Sequence, residues 1–141
     1  MMFAGSSREE LRRRYAEAWR RRCAGLPLEP LDAQIADVIA MHPEYHAQIS
    51  DPESIHVDYS VEAGRINPFL HLGLHLALRE QLSTRRPSGI VEIHAALAQR
   101  LGDPHAAEHR MVDALAQTLW DAQRAGQAPD EQRYLERLRR L

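Results

Sequence analysis

Residues 67–82 constrain this chain more than any other stretch: Asn67-Pro68-Phe69-Leu70-His71-Leu72-Gly73-Leu74-His75-Leu76-Ala77-Leu78-Arg79-Glu80-Gln81-Leu82. Asn67 has the side chain of a helix N-cap. Pro68 suits the first helical position, where no amide hydrogen is needed. The residues that follow are apolar almost all the way round, which predicts a helix covered by protein on most sides. His71 and His75 fall one turn apart inside that apolar envelope. Buried polar rings need partners, so what these two imidazoles meet is the functional question.

A chain of 141 residues is long enough to bury a core around such a helix, and its length predicts a single domain over residues 1–141. Hydrophobic residues make up 44% and charged residues 27%, ordinary for a soluble globular protein. No segment approaches the ~18–20 apolar residues of a membrane span. The opening residues hold no apolar run long enough for a signal peptide. Cys23 is the only cysteine, which excludes an internal disulfide and a thiolate-rich metal site. The expectation is a soluble, reduced, cytoplasmic protein without membrane partners.

Helix signals recur along the chain. Ser6 or Ser7, with Glu9 or Glu10, forms a capping box for a first helix ended by Gly25. Leu11, Tyr15, Ala18, Trp19 and Cys23 make its apolar face. Pro30 starts a second helix with Leu31, Ile35, Val38 and Ile39 inside. His42 and Pro43 open a short third one. Residues 50–66 read as one long irregular loop, with weak alternation over 54–61 and turn signals at Asp51-Pro52 and Ala63-Gly64. After the central helix, Ser88 caps a helix containing Ile90, Ile93, Leu97 and Leu101. Asp103-Pro104 opens the longest helix, 104–125, ended by Gly126. Pro129-Asp130 starts a last helix around Tyr134 and Leu138. The fold expected is an all-α bundle of about six helices.

Helical geometry locates the histidines. With Phe69 at zero, His71 falls at about 200° and His75 at about 240°, on the face of Leu74, Leu78 and Leu82. Glu80 points away and Arg79 lies on the margin. In the long helix, with His105 at zero, His109 falls at about 40°, among Val112, Ala116, Leu119, Leu115 and Trp120, flanked by Glu108 and Asp113. Two helices thus each offer a His-x-x-x-His pair to the interior, and His42 with His46 offers a third. Imidazoles at i and i+4 bind a metal from one helix face. The same rings also suit a hydrogen-bonded core. All three pairs begin in the first turns of their helices, where the dipole disfavours added positive charge.

Established metal patterns fit poorly. A di-iron carboxylate bundle uses Glu-x-x-His twice, which is absent here. A zincin uses His-Glu-x-x-His, whereas 71–75 reads His-Leu-Gly-Leu-His. A hemerythrin-like centre is closer in composition than in spacing. Phosphate-binding glycine loops and Ser/His/Asp or Cys/His catalytic arrangements have no local support.

Charge is unevenly spread. Residues 1–25 hold seven Arg against three acids, residues 26–129 seven against fourteen, and residues 130–141 four against three. Arg12-Arg13-Arg14 and Arg20-Arg21-Arg22 read either as a solvated face with intrahelical pairs such as Glu17–Arg21 or as a polyanion-binding surface.

The chain resembles a bacterial family known as domain of unknown function 1841. The resemblance rests on His42-Pro43-Glu44-Tyr45-His46, on Asn67-Pro68-Phe69-Leu70-His71 through His75 to Glu80-Gln81, and on Arg86-Pro87-x-Gly89-Ile90. It continues in His105-x-x-Glu108-His109-Arg110-Met111, Leu119-Trp120-x-Ala122-Gln123 and Tyr134-Leu135-x-x-Leu138. Ser88 departs from the pattern, where a second proline is expected. The resemblance implies that the histidine-bearing stretches belong to the family pattern, and it carries no activity with it.

Three readings follow. The first is a metal-binding bundle holding Zn²⁺ or non-haem iron through His71, His75, His105 and His109, with Glu108 or Asp113 completing the shell and His42 and His46 as additional donors. The second is a non-enzymatic module with a buried histidine network, using Arg12, Arg13, Arg14, Arg20, Arg21 and Arg22, or the 50–66 loop, to bind protein or RNA. The third is a hydrolase on the same metal, with Glu44 or Glu108 as base. The oligomeric state stays open, a homodimer included.

Overall fold

Asn67 Oδ1 accepts the backbone amide of Leu70 at 3.1 Å, so the central helix begins where its cap signal places it. Asp103 does the same for the long helix by accepting from the His105 amide at 3.0 Å. Asp130 opens the last helix by accepting from the Arg133 amide at 3.1 Å. The computed structural model describes residues 4–59 and 67–141. These form seven α-helices: α1 Ala4–Cys23, α2 Pro30–Ala40, α3 His46–Ser50, α4 Pro68–Thr84, α5 Ile90–Leu101, α6 Pro104–Ala125 and α7 Glu131–Arg139. Short 3-10 turns occupy Pro43–Tyr45 and Pro52–His56, and no strand occurs among the described residues. Among those residues no helix is long and apolar enough to cross a membrane.

The all-α expectation is met, with differences at the edges of elements. The first helix begins at Ala4, before Ser6 and Ser7, so neither serine is its cap. The fourth predicted helix is not capped by Ser88. Its N-cap is Gly89, with φ +94° and no side-chain cap bond. The described part of the stretch 50–66, residues 50–59, is more regular than a loop, because Ser50 ends α3 and Asp51 caps the Pro52–His56 turn by accepting from the Glu53 amide. The remainder of that stretch, 60–66, with its Ala63-Gly64 turn signal, lies outside the described residues.

The chain divides into two compact units, residues 1–73 and 74–141, with the division inside α4. In the first unit Tyr15, Ala18, Ile35, Val38, Ile39, Ile49, Phe69 and Leu72 are buried. Periodicity also assigned Leu11 and Leu31 to this core, yet they are 49% and 48% exposed. The position beside Leu11 is filled instead by Arg12, only 4% exposed. Its guanidinium donates to the carbonyls of Ile55 at 2.9 Å and Val57 at 3.0 Å. It also lies 5.2 Å from the ring centres of both Tyr59 and Phe69, so its charge is met by π-faces as well as carbonyl oxygens.

In the second unit Leu78, Ile90, Leu97, Met111, Val112, Leu115, Tyr134 and Leu138 form one cluster, with Leu74, Leu82 and Ile93 packed against it. Tyr134 Oη donates to Gln81 Oε1 at 2.7 Å, satisfying a hydroxyl whose ring is buried. Leu119 and Trp120, expected on the inner sector of α6, are 39% and 53% exposed. The inner stripe of that helix runs through Glu108, Met111, Val112, Leu115 and Thr118.

Candidate functional site

Two groups of histidines form, one in each unit. In the second unit α4 supplies His75, which is fully buried, and α6 supplies His105 and His109, both half-buried. The rings of His75 and His109 lie 4.7 Å apart at 66°, those of His105 and His109 4.4 Å apart at 55°. His105 stacks nearly parallel on His75 at 5.6 Å. One nitrogen of His75 and one of His109 approach within 4.8 Å.

Glu108 joins this group because it sits three residues beyond His105 and one before His109, turning inward on the same stripe of α6. Its Oε1 is 2.6 Å from His75 Nδ1 and 3.0 Å from Arg79 Nε. Burial pushes the Glu108 carboxyl up. The hydrogen bonds from His75 and Arg79, together with the charge of Arg79, outweigh burial and hold it down at about 2. Arg79, placed on the margin by helical geometry, is therefore the counter-charge of a buried carboxylate. Glu108 thus presents Oε1 to both His75 and Arg79. Asp113 lies exposed on α6.

In the first unit His42 is fully buried and His71 half-buried. Their rings meet edge-on at 5.2 Å, and one nitrogen of each approaches within 4.8 Å. Tyr45 lines the same place, 5.9 Å from the His42 ring and 5.7 Å from the His71 ring. Burial, with the neighbouring Glu44 charge, raises its hydroxyl pKa. His42 Nδ1 donates to the Val38 carbonyl at 2.7 Å, closing the end of α2.

His46 does not accompany His42. Its Nε2 donates to the Ile39 carbonyl at 2.7 Å, and its ring packs on Trp19 at 4.4 Å. The reason is the Pro43–Tyr45 turn between them. At three residues per turn, a side chain four positions on points about 120° away, where an α-helix would bring it nearly into line. Tyr45 was missed as a wall residue for the same reason.

His71 and His75 stand one turn apart on α4, with Gly73 between them. A Cβ at Gly73 would meet Tyr15 Oη at 3.5 Å, ordinary van der Waals contact, so no close approach demands glycine there.

The Arg-rich face of α1 is largely engaged within its own unit. Arg14 pairs with Asp32 at 2.8 Å, Arg20 with Glu17 at 2.7 Å and Arg22 with Asp37 at 2.8 Å. Arg13 meets Glu9, Arg21 donates to the Pro27 carbonyl, and Arg12 is buried.

No curated protein and no solved structure matches the chain. A family model described as domain of unknown function (DUF1841) matches residues 7–140, and the chain belongs to that family.

Proposed function

We propose that this protein is a metal-binding helical domain. It holds one divalent transition-metal ion, zinc or non-haem iron, through the imidazoles that α4 and α6 carry in the second unit: His75, His105 and His109. The observation that carries the reading is the group of three histidine rings within 5.6 Å in the second unit, with a carboxylate anchoring the buried one. Neutral imidazole suits zinc, iron, cobalt and nickel, and an all-nitrogen set disfavours magnesium and calcium.

The reading is one of binding rather than hydrolysis. The Glu108 carboxylate serves this reading by holding His75, with Arg79 donating to the same oxygen.

The test is metal content by mass spectrometry on untagged protein prepared without chelator, followed by Zn²⁺ titration of the metal-free protein. Near-stoichiometric uptake, lost in a His75→Ala/His109→Ala double variant that keeps its helical circular dichroism, supports the reading. No uptake by the wild type in excess Zn²⁺ or Fe²⁺ overturns it and leaves a buried histidine network.

A further inference from the structure

We infer that Glu108, braced by Arg79, is a positioning residue that fixes His75 to bind its metal through Nε2. The inference rests on the metal-binding reading and assigns Glu108 a role other than ligand.

The argument starts from what each group can donate. The Arg79 guanidinium has only donors, so Glu108 Oε1, 3.0 Å from Arg79 Nε, is an acceptor there. The same oxygen lies 2.6 Å from His75 Nδ1, so Nδ1 carries the hydrogen in that contact. In a neutral ring the lone pair is then on Nε2. Histidine ligands elsewhere are held in this way, by a carboxylate or a backbone carbonyl on the nitrogen that does not bind metal. The hydrogen bond fixes the tautomer and the ring plane and makes the other nitrogen a better donor.

Three features fit a positioning role. His75 is fully buried, so its orientation is set by protein rather than water. Glu108 is 7% exposed, and both strong donors reach its Oε1, so that oxygen is committed to His75 and Arg79. The device also appears with a different acceptor in the first unit, where the Val38 carbonyl takes the Nδ1 hydrogen of fully buried His42. Both fully buried histidines are therefore locked at Nδ1 by oxygen.

The test combines two readouts. The first is the ¹⁵N–¹H long-range NMR pattern of the metal-free wild type at neutral pH. An Nδ1–H tautomer at His75 is expected. An Nε2–H tautomer, or a ring protonated at both nitrogens, overturns the inference without involving metal or a variant. The second is Zn²⁺ and Co²⁺ affinity of wild type, Glu108→Gln and Glu108→Asp. Glu108→Gln should bind about 10- to 100-fold more weakly, with a changed Co²⁺ visible spectrum, and Glu108→Asp should recover part of the loss. Unchanged affinity and spectrum in Glu108→Gln would overturn positioning while leaving the metal reading intact. A wild type that binds neither ion brings down both. Should Glu108→Gln fail to fold, the wild-type tautomer still decides.

Discussion

His75 Nδ1 and Glu108 Oε1 lie 2.6 Å apart in a place where the imidazole is fully buried and the carboxylate 7% exposed. Residues 33 positions apart in the chain, on α4 and α6, thereby share one proton-bearing contact, with Arg79 donating to the same oxygen.

The contact should appear as an acid limb in stability. The Glu108 carboxyl is held at about 2 in the folded protein against 4.5 for the free group. A depressed carboxyl pKa stabilises the fold above the unfolded value, and that stability is lost as pH falls from about 4.5 toward 2. The shift corresponds to about 3 kcal/mol at order of magnitude. His75, Arg79, His105 and His109 face or adjoin this carboxylate, so the limb is read as a difference between wild type and Glu108→Gln. Urea unfolding across pH 2–7 should give curves that converge at the acid end. Parallel curves would mean that Glu108 is not held in this way.

Arg12 should be the costly arginine of α1. Removing it strands the Ile55 and Val57 carbonyls and empties the space between Tyr59 and Phe69. Arg12→Ala should lower unfolding free energy by about 2–4 kcal/mol, whereas Arg13→Ala, at an exposed ion pair, should cost below about 1 kcal/mol. Equal effects in chemical denaturation would contradict this placement.

Gly73→Ala should stabilise the protein. The position is interior to α4, and the nearest atom to an added Cβ is Tyr15 Oη at 3.5 Å, so nothing need move. The gain expected from helix propensity is about 0.5–1 kcal/mol, seen as a higher midpoint of denaturation. A loss would show that glycine is required there.

At the start of α5 the two candidate caps should part company. Gly89 has φ +94°, so Gly89→Ala should cost about 1–2 kcal/mol. Ser88 is exposed and makes no cap bond, so Ser88→Ala should change stability by less than about 0.5 kcal/mol. Thermal unfolding of the two variants separates them.

His46 offers a control for metal binding. Its Nε2 is on the Ile39 carbonyl and its ring on Trp19. His46→Ala should therefore keep the metal content of the wild type while losing about 1–2 kcal/mol of stability. Loss of metal with retained stability would place His46 among the ligands.

What the sequence made legible follows from which rules were local. Asn67, Asp103 and Gly126 mark helix ends because capping depends on one side chain or one backbone angle, and all three stand where their chemistry puts them. The grouping of His75, His105 and His109 was legible because α4 and α6 are regular enough for angular placement to hold. The same method failed between His42 and His46, where a 3-10 turn changes the angle per residue. It also failed at Leu11, Leu31, Leu119 and Trp120, since periodicity finds an apolar face without saying which part of it a neighbour covers. Arg12 was read as surface because a cation enters a core only when carbonyls and rings receive it, and those come from residues 43 or more positions away.

That arginine explains how the chain leaves the Pro52–His56 turn without a strand to receive it. Ile55 lies inside the turn and Val57 follows it in extended conformation, so neither carbonyl has a continuing helix to take it up. Here one fork of N–H donors, carried on a helix, serves both. A single side chain clasps the end of the turn to α1, and one residue does what a neighbouring segment would otherwise have to do.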